Sequence, residues 1–278
     1  MILSLSGFLF EDDYRSQSLD LPRFCALARS AGYDGVELRR TQVTPEATAD
    51  ERRQVRGAIA GQGLRVTCLT ARGMPATGPP RDEYLQRYLD LCRDLGCPLL
   101  KIGGDAAWMR QAVEMAARAG VSLASNNHVG GPLETVAGTL AYLDEVGDRR
   151  FGLLYDALHL SLGNEPYLGA IPALWESVHS ILVHSLRPAE KGEQPHLERP
   201  HPELGSTSWV RALPDHPRAQ DWGGVLGCFR SLGYDGFVTV IESGWPGAER
   251  EGVARHAAAV LRRLWEEADT EGERADHV

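Results

Sequence analysis

Six polar side chains in this sequence follow directly on short apolar runs. They are Glu37, Lys101, Asn126, Asp156, His184 and Glu242. His159 stands three residues after Asp156, and Asn127 and His128 follow Asn126 at once. Taken singly, each has a plain reading: a solvated or salt-bridged Glu, or a half-buried His with its hydrogen bonds satisfied. Taken together, Asn126, Asp156, His184 and Glu242 offer two carboxylates, an amide carbonyl and an imidazole. These are mostly hard donors, with no thiolate. Such a set suits an octahedral Mn²⁺, Mg²⁺ or Co²⁺ with open positions better than a closed structural zinc, although Zn²⁺ also accepts these ligands. Two adjacent oxygens of a hydroxy-ketone could fill the open positions. The ion would polarise the carbonyl and stabilise an enediolate as the neighbouring proton leaves.

Side chains so far apart in the chain converge only if the elements carrying them are arranged in parallel. The stretch from Phe151 to Ser185 shows the pattern most clearly. FGLLYD and SILVH are short apolar runs suited to strands buried on both faces. Between them Leu168, Ile171, Leu174, Trp175 and Val178 recur with a helical period over 166–178. The unit reads as strand, helix, strand, with Asp156 and His184 at equivalent strand ends. The same alternation runs along the whole chain. Strands are expected at 2–6, near 33–37, 65–69, 99–102, 121–125, 151–156, 180–184 and 233–242. Helices are expected at 19–31, 45–62, 82–95, 105–119, 132–146, 166–178, 221–232 and 249–267. GYDG occurs at 32–35 and again at 233–236, each time between a helix and a strand. Gly32 and Gly233 suit a left-handed turn position and Asp-Gly a tight bend.

Eight such units joined by right-handed crossovers close into a (β/α)₈ TIM barrel, an α/β fold whose strand C-termini share one face. An open doubly wound sheet fits less well, because SGFLFEDD after the first strand is unlike a Gly-rich phosphate loop. A single barrel domain is expected over 1–268, with a solvated tail at 269–278. One connection is abnormal: 185–221 is long and holds six prolines. It leaves the barrel beside His184, as a lid or pocket wall would.

Composition narrows the function classes. The 278 residues are 43% hydrophobic and 24% charged, with a net charge of -9, which argues against a nucleic-acid or anionic-membrane surface. The five cysteines form no CxxC pair, as expected of reduced thiols in a cytoplasmic protein. MILSLSGFLF lacks a basic n-region and a cleavage site, and no apolar run reaches the roughly 20 residues that span a bilayer. A small-molecule substrate and a homo-oligomer are both compatible with this composition.

AGYDGVEL, SNNH, YDALH, ILVHS, the DW before the seventh helix and GYDGFVTVIE occur in an order that resembles the xylose-isomerase-like TIM barrels. These form the sugar phosphate isomerase/epimerase superfamily, and the resemblance covers nearly the whole chain. It implies a metal-dependent isomerase or epimerase acting on a sugar, keto-sugar or related polyol. In that family a Glu, an Asp, a His and a Glu on strands five to eight hold the metal. The last three map onto Asp156, His184 and Glu242, and Asn126 stands where the family usually has Glu. Glu242 would be ligand and base, with His159 or Glu37 as its catalytic partner. Lys101, Asn127 and His128 are candidates for substrate contact, and Arg187 for an anionic group. An amide carries no charge and takes no proton, so Asn126 leaves a dehydratase or lyase, and a non-catalytic sugar- or protein-binding barrel, as alternatives. An endonuclease IV-like repair enzyme fits less well. Such enzymes use further histidines at early strand ends, whereas here those strands end in Glu37 and CLTARGM; only the loop residues His201 and His216 could add donors.

Overall fold

The structure, a computed structural model, describes residues 1–71, 79–201 and 205–275. Parts of CLTARGM, of the proline-rich connection and of the expected tail lie outside the described residues.

Eight parallel strands form the expected closed barrel. They are β1 (Ile2–Ser6), β2 (Gly35–Leu38), β3 (Arg65–Thr70), β4 (Leu99–Lys101), β5 (Ser122–Asn126), β6 (Phe151–Asp156), β7 (Val178–Val183) and β8 (Phe237–Val240). Each pairs with its neighbours in sequence, and β1 closes the ring by pairing with both β2 and β8. Side chains alternate across each strand, which divides the core in two. Leu3, Leu5, Val36, Leu123, Leu153, Ile181 and Val240 belong to the main buried layer that packs with the helices. Cys68, Leu99, Ala124, Leu154, Leu182 and Ile241 form a separate buried cluster inside the ring.

The helices are α1 (Leu21–Ser30), α2 (Ala49–Gly61), α3 (Pro79–Leu95), α4 (Ala106–Ala119), α5 (Val136–Val146), α6 (Ala157–Leu162), α7 (Tyr167–Leu174), α8 (Trp222–Ser231) and α9 (Arg250–Ala275). Capping groups fix several starts. Thr48 and Glu51 form a reciprocal capping box that starts α2 at Ala49, later than the apolar pattern suggests. The helix expected over 166–178 is broken up. Asp156 caps the short α6 directly off β6, α7 ends at Leu174, and a 3₁₀ turn at Trp175–Ser177 leads into β7. At the other end of the chain, α9 continues to Ala275, well into the expected tail.

The GYDG turns show two uses of glycine. Gly32 and Gly233 have φ of +90° and +83°, the left-handed position the sequence suggests. Gly35 has no such backbone. A Cβ there would lie 2.6 Å from Thr67 Cγ2 and 2.8 Å from Arg65 O, so the glycine permits β2 to approach β3 closely. Tyr33 and Asp34 anchor the same turn. Tyr33 Oη donates to Ala254 O (2.8 Å), and Asp34 Oδ2 accepts from Leu3 N (2.8 Å).

The connection after β7 is not irregular. Leu186–Pro188, Leu197–His201 and Gly205–Arg211 form an antiparallel sheet in which the last strand is central. A small hairpin, Glu11–Asp12 with Ser16–Gln17, follows β1. Among the described residues no helix is long and apolar enough to cross a membrane.

The tight β2–β3 contact predicts that Gly35→Ala destabilises the fold by about 1–3 kcal/mol through overpacking. Denaturant unfolding measures this; an unchanged midpoint and slope would contradict it.

Candidate metal centre

The barrel brings most of the selected residues to its C-terminal mouth. Lys101, Asn126 and Asp156 end β4, β5 and β6, while Glu37 is the penultimate residue of β2. His184 follows β7 directly, and Glu242 lies two residues beyond β8. Two adjoining cavities share Phe8, Tyr14, His128, His159 and His184. The inner one, about 290 Å³, also meets Glu37, Arg39, Lys101, Asn126 and Asp156. The outer one, about 370 Å³, reaches Glu242 and the antiparallel sheet through His196, Arg199 and Arg211.

Asp156 is the centre of this arrangement and is fully buried. Its Oδ1 accepts from His159 N (3.0 Å) and lies 2.8 Å from His184 Nε2. Its Oδ2 is 3.7 Å from His159 Nε2 and has no hydrogen-bond partner among the described residues. Buried His159 Nδ1 has none either. Ligand atoms of Asp156, His159 and His184 lie within 4.8 Å of one another. Buried polar atoms are normally paired, so two orphans in one cluster fit a missing ligand. One carboxylate and two imidazoles form a donor set that a divalent transition ion accepts. This triad shares Asp156 and His184 with the four-residue set read from the sequence, and it adds His159.

Electrostatics follow from burial and neighbours. Burial alone would push the Asp156 carboxyl up, but the charges of His184 and His159 and their hydrogen bonds outweigh it. The group is held well below the usual carboxylate range. Burial moves His159 down to about 4, against the attraction of Asp156, so its ring is neutral near pH 7. For His184 burial also acts downward, yet Asp156 and Glu242 prevail and the pKa rises. Burial carries Glu242 up to about 7, although the Trp245 N–H, His184 and the Ser185 N–H favour its charged form.

The other candidates are held in distinct ways. Glu242 Oε1 accepts from Ser185 N (3.0 Å), and its Oε2 accepts from Trp245 Nε1 (3.0 Å). Glu37 Oε1 accepts from Ser6 Oγ (3.1 Å) and Thr70 Oγ1 (2.9 Å), with Arg39 Nη1 at 3.8 Å. His128 is exposed, and its ring centroid is 3.9 Å from that of His159.

Two residues expected to touch substrate are engaged elsewhere. Asn127 is fully buried: its amide donates to Asp156 O (2.8 Å) and its carbonyl accepts from Asp156 N (2.9 Å). It clamps the main chain of Asp156 and lines neither cavity. Arg187 forms a two-point ion pair with Glu193 (2.7 and 2.5 Å) and also lies outside both cavities.

Tyr14, Arg39, His196, Arg199 and Arg211 line the mouth without having been selected from the sequence. Tyr14 sits in a hairpin turn at φ +59°, and EDDYR carries no helix or strand period to draw attention to it. A roomier cavity of about 590 Å³ lies outside the ring, between α1 and α2. Among the described residues it gathers no cluster of metal-ligating side chains, so the smaller mouth is the better candidate.

Over residues 25–264 the chain matches the family described as xylose isomerase-like TIM barrel. Among solved structures, L-ribulose 3-epimerase is 18% identical with a TM-score of 0.72, covering 98% of this chain and 97% of that one. The probable 3-DHS dehydratase AsbF of Bacillus anthracis is 15% identical with a TM-score of 0.72, covering 94% and 99%. A xylose isomerase-like TIM barrel protein from Mycobacterium smegmatis, in complex with magnesium, is 12% identical with a TM-score of 0.74, covering 96% and 97%. At these identities the likeness shows the fold. No curated protein matches the chain. The closed parallel barrel, the strand-end motifs and the match over most of its length together place the chain in the xylose isomerase-like TIM barrel family.

Proposed function

We propose that this chain is a divalent-metal-dependent isomerase or epimerase acting on a keto-sugar or related polyol through an enediolate. The observation that carries this reading is the Asp156–His159–His184 cluster, with two unpartnered buried ligand atoms at the barrel mouth. Asp156, His184 and His159 would hold an ion of the Mn²⁺, Mg²⁺ or Co²⁺ kind, with Asn126 and Glu242 beside them. When bound, the ion supplies Lewis acidity at the substrate carbonyl.

The chain's own residues do the rest. Glu242 is the base. Two N–H donors fix its oxygens in direction, and a pKa near 7 lets it take up and return a proton at neutral pH. Glu37, locked by Ser6 and Thr70, and His159, whose ring lies against that of His128 at a tilt of 38°, orient substrate hydroxyls. Lys101 reaches the inner cavity as a positive group. Family membership supports the reaction class, as does the fold shared with L-ribulose 3-epimerase. Dehydration is a second reading, favoured by Asn126. Epimerisation needs proton carriers on both faces of the reacting carbon, and the amide cannot be one of them. The probable dehydratase of the same fold is consistent with that alternative.

Two measurements test the proposal. Saturating Mn²⁺, at about 100 times Kd, should stabilise the protein by about 2.7 kcal/mol, which reads as a clear rise in Tm. EDTA should reverse the rise and Asp156→Asn should abolish it; an unchanged Tm would contradict the metal site. In D₂O, NMR should show deuterium entering the carbon next to the carbonyl of a turned-over ketose. Glu242→Gln should slow that exchange by roughly 10²–10⁴-fold. Full exchange in the variant would remove Glu242 as base.

A further inference from the structure

Charge at the barrel mouth is distributed unlike charge in the chain as a whole, whose net value is -9. Three acids line the two cavities: Glu37, Asp156 and Glu242. Asp156 lies against the imidazoles, and Glu37 is 3.8 Å from Arg39, which it shares with Glu11. Two cations lining the same cavities form no salt bridge among the described residues, although Arg211 and Glu242 attract each other at longer range. Lys101 and Arg211 have no carboxylate within 4.0 Å among the described residues, and Lys101 makes no side-chain hydrogen bond there. A divalent ion at Asp156 would bring further positive charge to the mouth.

Arg211 is the more specific of the two. It ends the central strand of the antiparallel sheet, so it faces the barrel rim from the roof of the outer cavity. Its Nε donates to Ser243 O (2.7 Å), and its Nη2 lies 2.6 Å from His196 Nδ1. His196 therefore accepts through Nδ1, and both contacts fix the plane of the guanidinium. Nη1 keeps its two donors, with no protein acceptor among the described residues. Gly244 completes the fit: a Cβ there would overlap the guanidinium, and its φ of +65° suits glycine. A fixed, half-buried fork with a spare donor edge is suited to an oxyanion, which it can meet by charge-assisted hydrogen bonds. A neutral hydroxyl would meet the same donors without the charge assistance.

We infer that the crevice selects a substrate bearing a carboxylate or phosphate group, anchored by Arg211 from the roof sheet, with Lys101 supplying a second positive contact from β4. This rests on the reading of the same mouth as the site of a polyol isomerase and names the substrate class within it. Arg211 thereby takes the role the sequence had suggested for Arg187, whose charge is consumed by Glu193.

Isothermal titration calorimetry on the full chain tests it with three probes: D-fructose (neutral), D-gluconate (carboxylate) and D-glucitol 6-phosphate (phosphate). One of the two anions should bind at least about tenfold more tightly than D-fructose, and which one does so identifies the group. Arg211→Met should reduce that preference roughly ten- to a hundredfold, the worth of a charge-assisted hydrogen bond. Lys101→Met supplies an independent variant should the first fail to fold, and should reduce the preference by about threefold or more. D-fructose binding as tightly as both anions, no measurable binding of either anion, or a preference unchanged in both variants would overturn the inference. The two readings fail separately. Tight binding and turnover of D-fructose would remove the anion anchor and leave the isomerase. Arg211-dependent anion binding by a chain that takes up no Mn²⁺ would do the reverse.

Discussion

One carboxylate governs the mouth of this barrel. Asp156 has no exposed surface, and an ionised group so placed incurs a desolvation penalty of several kcal/mol unless its surroundings offset it. His184 Nε2 at 2.8 Å and the His159 N–H at 3.0 Å act on one oxygen, and Asn127 holds the main chain on both sides of the same Cα. The second oxygen is left toward the inner cavity and His159. The side chain is therefore oriented and charged, yet incompletely satisfied. A metal ligand needs that combination, and an ordinary structural aspartate avoids it.

The barrel makes this state sustainable. Below the mouth, the cluster from Cys68 to Ile241 seals the lumen with apolar side chains. Solvent and substrate therefore reach the site from above only, past the hairpin bearing Tyr14 and the antiparallel sheet bearing Arg211. Rigid strands set the ligands, and connections of more varied form set what lies over them. This is the usual division of labour in such barrels, where the strand-to-helix connections vary the chemistry on a constant frame. Ser185 shows how closely the two are joined. Its N–H holds Glu242 while its Oγ accepts from Trp222 Nε1, linking the end of β7, the candidate base and the start of α8.

Much of this is legible in the sequence because strand ends are marked by where apolar runs stop. Asp156, His184, Glu37 and Glu242 stand at such stops, and the barrel converts their positions along the chain into proximity. Asn127, expected to touch substrate, has another role. Asn127 follows the last residue of β5, and only the fold shows that it lies away from both cavities and clamps the main chain of Asp156. Arg187 and Arg211 illustrate a second limit. Both are arginines in one proline-rich connection, and only the register of the antiparallel sheet settles which faces the cavity. Likewise, α9 runs past its expected end at 267. Glu, Arg and Ala are strong helix formers, and the helix runs on to Ala275.

The central claim is that strand ends far apart in sequence converge to grip one divalent ion. Crystals of the protein soaked in MnCl₂, measured at the manganese absorption edge, test it directly. A single anomalous peak should appear at roughly 2.0–2.3 Å from Asp156 Oδ2 and from ring nitrogens of His159 and His184. A map with no peak at the barrel mouth, or with manganese only on surface carboxylates, would contradict it.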